Sequence, residues 1–61
     1  MRLREYITVV ETGRDFLECL TCFDTIVNTR IEEGWLPIGG PSVLIDEGIM
    51  IAVQAMAKEV E

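Results

Sequence analysis

A chain of 61 residues, 49% of them hydrophobic, with a formal net charge of −6, is a single domain of a size that buries only about 60% of the surface its unfolded form exposes. Eleven acidic against five basic residues leave too little positive charge to track a phosphate backbone. Two Cys with no His make neither a disulfide scaffold nor an ordinary structural zinc site, so self-association is the expected reinforcement for so small a core.

Leu3 to Glu11 reads as the first strand, because Ile7, Thr8, Val9 and Val10 are β-branched and Tyr6 adds an aromatic. Alternation sends Leu3, Glu5, Ile7 and Val9 to one face and Arg4, Tyr6, Thr8 and Val10 to the other, so both faces carry apolar groups. Thr12-Gly13-Arg14-Asp15 supplies a turn and a helix start, with Thr12 as the expected cap and Asp15 in the position of a capping-box partner. The helix is predicted over 14–33, roughly 30 Å long at about 1.5 Å per residue. Phe16, Leu20, Phe23, Val27 and Ile31 form its apolar stripe, flanked by Leu17, Cys19 and Ile26, while Glu18, Thr21, Thr25, Asn28, Thr29 and Glu32 fall on the wet side.

Gly34 ends the helix where a left-handed residue is cheapest. Trp35 to Leu44 is the predicted second strand, weakened by Gly39-Gly40-Pro41 and confined by Pro37 to an edge or a bulge. Asp46-Glu47-Gly48 is a hairpin signal, and a last strand is predicted over 49–58, with Glu59, Val60 and Glu61 fraying. That strand is apolar throughout except at Gln54, a pattern that places it in the centre of a sheet covered on both sides.

One helix covers one side only, and a second copy is the simplest cover for the other. The expected fold is α+β: a single βαββ domain over 1–61, with a three-stranded mixed sheet in the order 1-3-2. The helix lies on one face of it, a right-handed crossover joins its two parallel strands, and the other face is used for oligomerisation. Tyr6, Val10, Met50, Ala52, Gln54 and Met56 are the expected interface residues.

Glu33-Gly34-Trp35-Leu36-Pro37-Ile38-Gly39-Gly40, followed by a hairpin and by Gln54-Ala55-Met56-Ala57-Lys58, resembles the domain-of-unknown-function 1737 family. These are short bacterial and phage proteins with an initial strand, a helix ending in a Glu-Gly-Trp-x-Pro-x-Gly-Gly corner, and a last strand ending Gln-Ala-Met. The resemblance spans nearly the whole chain. It departs at the first strand, which lacks a distinctive signature, and at Met50 and Ala52, where relatives often carry aromatics. It implies a small oligomeric α+β domain with no established catalysis and no known substrate.

Few residues invite chemistry. Cys19 and Cys22 form C-x-x-C, but inside the predicted helix and not at its start, where the dipole would lower a thiol pKa. Packing is the simpler use for them, and zinc shared across a dimer the alternative. With no His, no nucleophile elbow and no phosphate loop, neither an enzyme nor a cofactor is expected.

Gly39-Gly40-Pro41-Ser42 offers backbone amides to an anion or simply a bulge. Trp35 either stacks on a ligand or anchors the corner beneath the helix. Gln54 pairs across the oligomer interface or contacts a ligand held there. Arg4 and Lys58 make a local anion site or pair with Glu5 and Glu59. The candidate ligand contacts are therefore Arg4, Tyr6, Trp35, Ser42, Gln54 and Lys58.

These residues suit a non-enzymatic, self-associating binding protein of bacterial or phage origin. Its concrete form sequesters a small nucleotide-like ligand at a subunit interface, as an accessory or anti-defence factor. A protein–protein interaction module or inhibitor of a host protein is the alternative, with scattered carboxylates counting against nucleic-acid mimicry. A Cys-based metal or redox protein is the third reading. No apolar run reaches the roughly 18–20 residues that span a bilayer, and Arg2 and Arg4 are not followed by a cleavage pattern. The expected location is cytoplasmic, in the host if the chain is phage-encoded.

Overall fold

A computed structural model describes residues 3–60. The elements run β1 (Leu3–Gly13), α1 (Phe16–Glu32), β2 (Leu36–Pro37), β3 (Ser42–Asp46) and β4 (Ile49–Val60). The α+β class holds, with the last strand in the middle as its apolar sequence demands. β1 pairs with one side of β4, and β2 and β3 pair in turn with the other. The molecule is thin and long, 45 × 19 × 13 Å, as expected of one sheet with one helix laid on it.

The expected three-stranded mixed sheet needs correcting. Gly39-Gly40-Pro41 divides the predicted second strand into β2 and β3, so the sheet has four strands, and each hydrogen-bonded ladder is antiparallel. Pro41 has no N–H to donate, and the ladder lapses there. Ile38 still donates to the Ala55 carbonyl at 2.9 Å, which keeps the divided strand against β4. Nor does the last strand fray at Glu59: Arg4 and Leu3 pair with Glu59 and Val60, and this partner strand carries β4 to Val60. Glu61 lies outside the described residues.

The helix begins later than its sequence suggests. Asp15, in an extended conformation, is the N-cap, and its carboxylate accepts from the Glu18 N–H at 3.1 Å. Thr12, the expected cap, belongs to β1 and faces Ile51. At the other end the Gly34 N–H donates to Ile31 O (3.0 Å) and the Trp35 N–H to Arg30 O (2.9 Å). With Gly34 at φ 99°, this is a Schellman stop, which a β-carbon at that position would strain. The β3–β4 hairpin turns on Glu47 (φ 49°) and Gly48 (φ 76°), both left-handed as a two-residue type I′ loop requires.

The core is small. Val9, Phe23, Ala52 and Met56 are buried together, with Ile7, Ile26, Val27 and Trp35 packed against them. The buried helix face runs through Cys19, Phe23, Ile26, Val27 and Arg30, turned slightly from the predicted stripe. Phe16 and Ile31, its two ends, are more than a third exposed. On the wet side the hydroxyls of Thr21, Thr25 and Thr29 each donate to the carbonyl four residues back at 2.9 Å. Those hydroxyls satisfy themselves within the helix.

Candidate functional site

The register of the three ladders sorts every strand residue to one of two faces. On the helix side β4 presents Met50, Ala52, Gln54 and Met56, all buried, with Ile7, Val9 and Glu11 of β1 beside them. On the other side it presents Ile49, Ile51, Val53, Ala55 and Ala57, all half-buried by their neighbouring strands. Tyr6, Thr8, Val10 and Thr12 flank them from β1, and Leu36, Ser42 and Leu44 from β2 and β3. Tyr6, Val10, Leu36 and Leu44 are each more than half exposed. The charges of this face stand at its two ends: Arg4 paired with Glu59 at 3.8 Å, and Asp46 beside the hairpin. Between them lies an uncharged, mostly aliphatic surface.

This partition separates the six expected interface residues. Tyr6 and Val10 lie on the open face. Met50, Ala52, Gln54 and Met56 face the helix and are buried within the chain itself, so they are not available to a partner. The period-2 rule predicts that alternate residues part company, but it does not say which set the helix takes; Ile51, Val53, Ala55 and Ala57 are the β4 residues that the open face offers instead.

Gln54 has an internal task. Its Nε2 donates to Ile38 O (3.3 Å), Gly39 O (3.2 Å) and Ala55 O (2.9 Å). The side chain therefore fastens the break between β2 and β3 to the central strand, in place of either the intersubunit pairing or the ligand contact expected of it. The signal was readable in part: one amide in an apolar strand, opposite a Gly-Gly-Pro break that leaves carbonyls without ladder partners.

Trp35 anchors the corner. It packs against the core, and Lys58 Nζ lies 5.6 Å from the centre of its ring, within range of a cation–π attraction. Arg4 and Lys58 sit near the same end of the sheet and border a shallow depression with Leu36, Ile38 and Ala57. Their charges are already engaged, by Glu59 and by the Trp35 ring respectively. A second depression of ≈ 460 Å³ opens beneath the helix beside β1, among Ile7, Val9, Ile26, Arg30 and Trp35; there Arg30 is held by Glu33 at 2.8 Å. Ser42 lies on the open face opposite Val53. The six candidate ligand contacts are thus not gathered in one pocket of a single copy.

The two thiols occupy different surroundings. Cys19 is buried, its Sγ lying 3.8 Å from Glu11 O and 4.0 Å from Met50 O, while Cys22 is exposed, and neither is in a disulfide. Burial pushes the Cys19 thiol above its ordinary value, and Glu11 and Cys22 add to the shift. A thiol held neutral is a poor nucleophile and a poor metal ligand. Among the described residues no three His, Cys, Asp or Glu side chains gather as metal ligands, and no helix is long and apolar enough to cross a membrane.

No family model matches the chain, and no curated protein and no solved structure matches it either.

Proposed function

We propose that the protein is a non-enzymatic, self-associating binding protein, and that a second copy closes the open face of its sheet. The observation that carries this reading is an uncharged aliphatic face, exposed at Tyr6, Val10, Leu36 and Leu44, on a chain whose net charge is −6. The dimensions are of the right order. Three strands abreast at about 4.8 Å and twelve residues at about 3.3 Å span roughly 14 × 40 Å, or about 560 Å², a little under the smallest standard interfaces at about 600 Å² per partner. The chain exposes 4494 Å², against about 4,000 Å² for a compact monomer of this mass.

In such an assembly Arg4, Tyr6 and Ser42 lie at the junction, whereas Trp35 and Lys58 stand together on the helix side of the sheet. A small nucleotide-like ligand sequestered there, in an accessory or anti-defence role, is the concrete form of the proposal. Kinship with the domain-of-unknown-function 1737 family, on the Gly34-Trp35 corner and the Gln54-Ala55-Met56 ending, and a cytoplasmic location belong to the same reading.

Sedimentation velocity at micromolar concentration is the test. The native chain is expected to exceed the mass of one copy, and Val10→Glu, which puts a charge on the open face beside Val53, to lower it. A folded native monomer at that dilution would sink the proposal and turn attention to a foreign protein as the cover. For the ligand, a thermal-shift panel that includes cyclic dinucleotides is expected to stabilise the native assembly, and a flat response across it removes that part.

A further inference from the structure

Strand β3 has cover only along the edge it shares with β4. Val43, Leu44 and Ile45 are 51%, 62% and 53% exposed, although Val43 and Ile45 point to the helix side. The reason is that α1 lies over β1 and β4, reaches β2, and does not touch β3. The outer edge of β3 has no neighbouring strand among the described residues. An unpaired edge is a template for another strand, and soluble proteins usually blunt it with charge, proline or a covering element. From Ser42 to Ile45 this edge has none of these.

We infer that β3 pairs with β3 of a second copy, antiparallel, about a two-fold axis that passes through Leu44 normal to the sheet. Such an axis keeps helix-side residues opposite helix-side residues, so the numbers of paired residues add to an even total. Centring on Leu44 uses the whole strand. Leu44 meets its own copy, Val43 meets the partner's Ile45, and Ser42 meets the partner's Asp46. β-Branched side chains pair on the helix side, leucines pair on the open side, and a hydroxyl stands opposite a carboxylate at each end. The two Asp46 carboxylates stay about four residues, roughly 13 Å, apart along the ladder.

The other edge discriminates. In its full-length register, centred on Thr8, β1 would place Glu5 opposite the partner's Glu11 twice, and like charges directly opposed are destabilising. In their full-length registers one edge therefore favours a copy and the other opposes it.

The edge contact stands on its own observations. The larger assembly rests also on closure of the open face proposed above. The edge axis is normal to the sheet and the face-closing axis lies in its plane. Two perpendicular two-fold axes that meet generate a closed tetramer and not a filament: two continuous sheets stacked on their open faces, with the helices outside.

Charge exchange at the two flanking pairs tests the register. Val43→Glu with Ile45→Glu sets carboxylates opposite each other at both pairs, and is expected to halve the mass in sedimentation velocity. Val43→Glu with Ile45→Lys sets opposite charges at the same places and is expected to restore it. An unchanged mass in the first variant, or no restoration in the second, overturns the edge inference. Val10→Glu reports separately on the open face. If it alone lowers the mass, face closure stands and the edge contact falls; if only the charge variants act, the edge contact stands and face closure falls.

A second readout does not depend on those variants folding. Leu44→Cys, on the axis and in a Cys22→Ser background, is expected to form a covalent dimer on oxidation, because directly opposed strand residues lie within disulfide reach. Val43→Cys in the same background is expected to form far less. No covalent dimer, or equal yields at the two positions, overturns the inference.

Discussion

The two faces of β4 are built from the same kind of residue and meet different fates. Ala52 and Met56 have no exposed surface at all, while Ile51, Val53 and Ala55, interleaved with them, keep part of their surface open. Hydrophobicity does not make the difference, since the partly open side is at least as aliphatic. Supply makes it: among the described residues α1 is the one helix to lay on the sheet. In a chain this short, burial is decided by which surface α1 reaches, and the other surface of a single copy stays partly open.

Three perturbations probe that contrast, the largest first. Phe23→Ala removes the aromatic that the helix sets into the closed face, where it is 4% exposed. A buried Phe→Ala change costs about 3–5 kcal/mol, a large share of the roughly 3–9 kcal/mol expected of a domain this size. Urea unfolding is expected to show most of the stability gone. A cost near that of a surface substitution would mean that the closed face is not where the stability lies.

Gln54→Ala cuts the two bonds that fasten the Ile38–Gly39 break, and a third to the Ala55 carbonyl of its own strand. Because those carbonyls can turn to water, about 1–2 kcal/mol is the expected loss. Faster amide exchange should be confined to the segment between β2 and β3, and a change spread evenly over the sheet would contradict the local role.

The smallest effect is at the thiols. Cys22 is expected to react with a thiol reagent at once and Cys19 only as the chain unfolds, so equal rates would contradict the burial of Cys19. Because the folded Cys19 thiol ionises later than the unfolded one, the unfolded chain binds fewer protons once the pH passes the ordinary value of 9.0. Stability should therefore fall with rising pH in that range. The urea midpoint of the native chain is expected to drop more between about pH 8 and 10 than that of Cys19→Val.

Much of this was legible in the sequence, and the misreadings have local causes. The apolar run at Ile49–Ala57 located the central strand, Gly34 located the helix stop, and Asp46-Glu47-Gly48 located the hairpin. Thr12 was a plausible cap, but β1 had a partner strand long enough to carry it two residues further, so Asp15 took the role. Gly39-Gly40-Pro41, expected only to weaken the second strand, divides it. The site was less legible than the fold. Which alternate set of β4 residues faces the helix depends on tertiary packing, and Gln54 shows its purpose only beside the carbonyls of Ile38 and Gly39.

The longest ladder in the molecule joins residues at opposite ends of the sequence, from Leu3 against Val60 to Gly13 against Met50. Closing so large a loop costs entropy before any contact rewards it, whereas α1 and the β3–β4 hairpin need only near neighbours. The route to the native state should then begin with hairpin and helix and finish when β1 zips onto β4. Until that last step the newly formed β4 has a bare flank, and the time a nascent chain spends in that condition sets its exposure to capture by other chains.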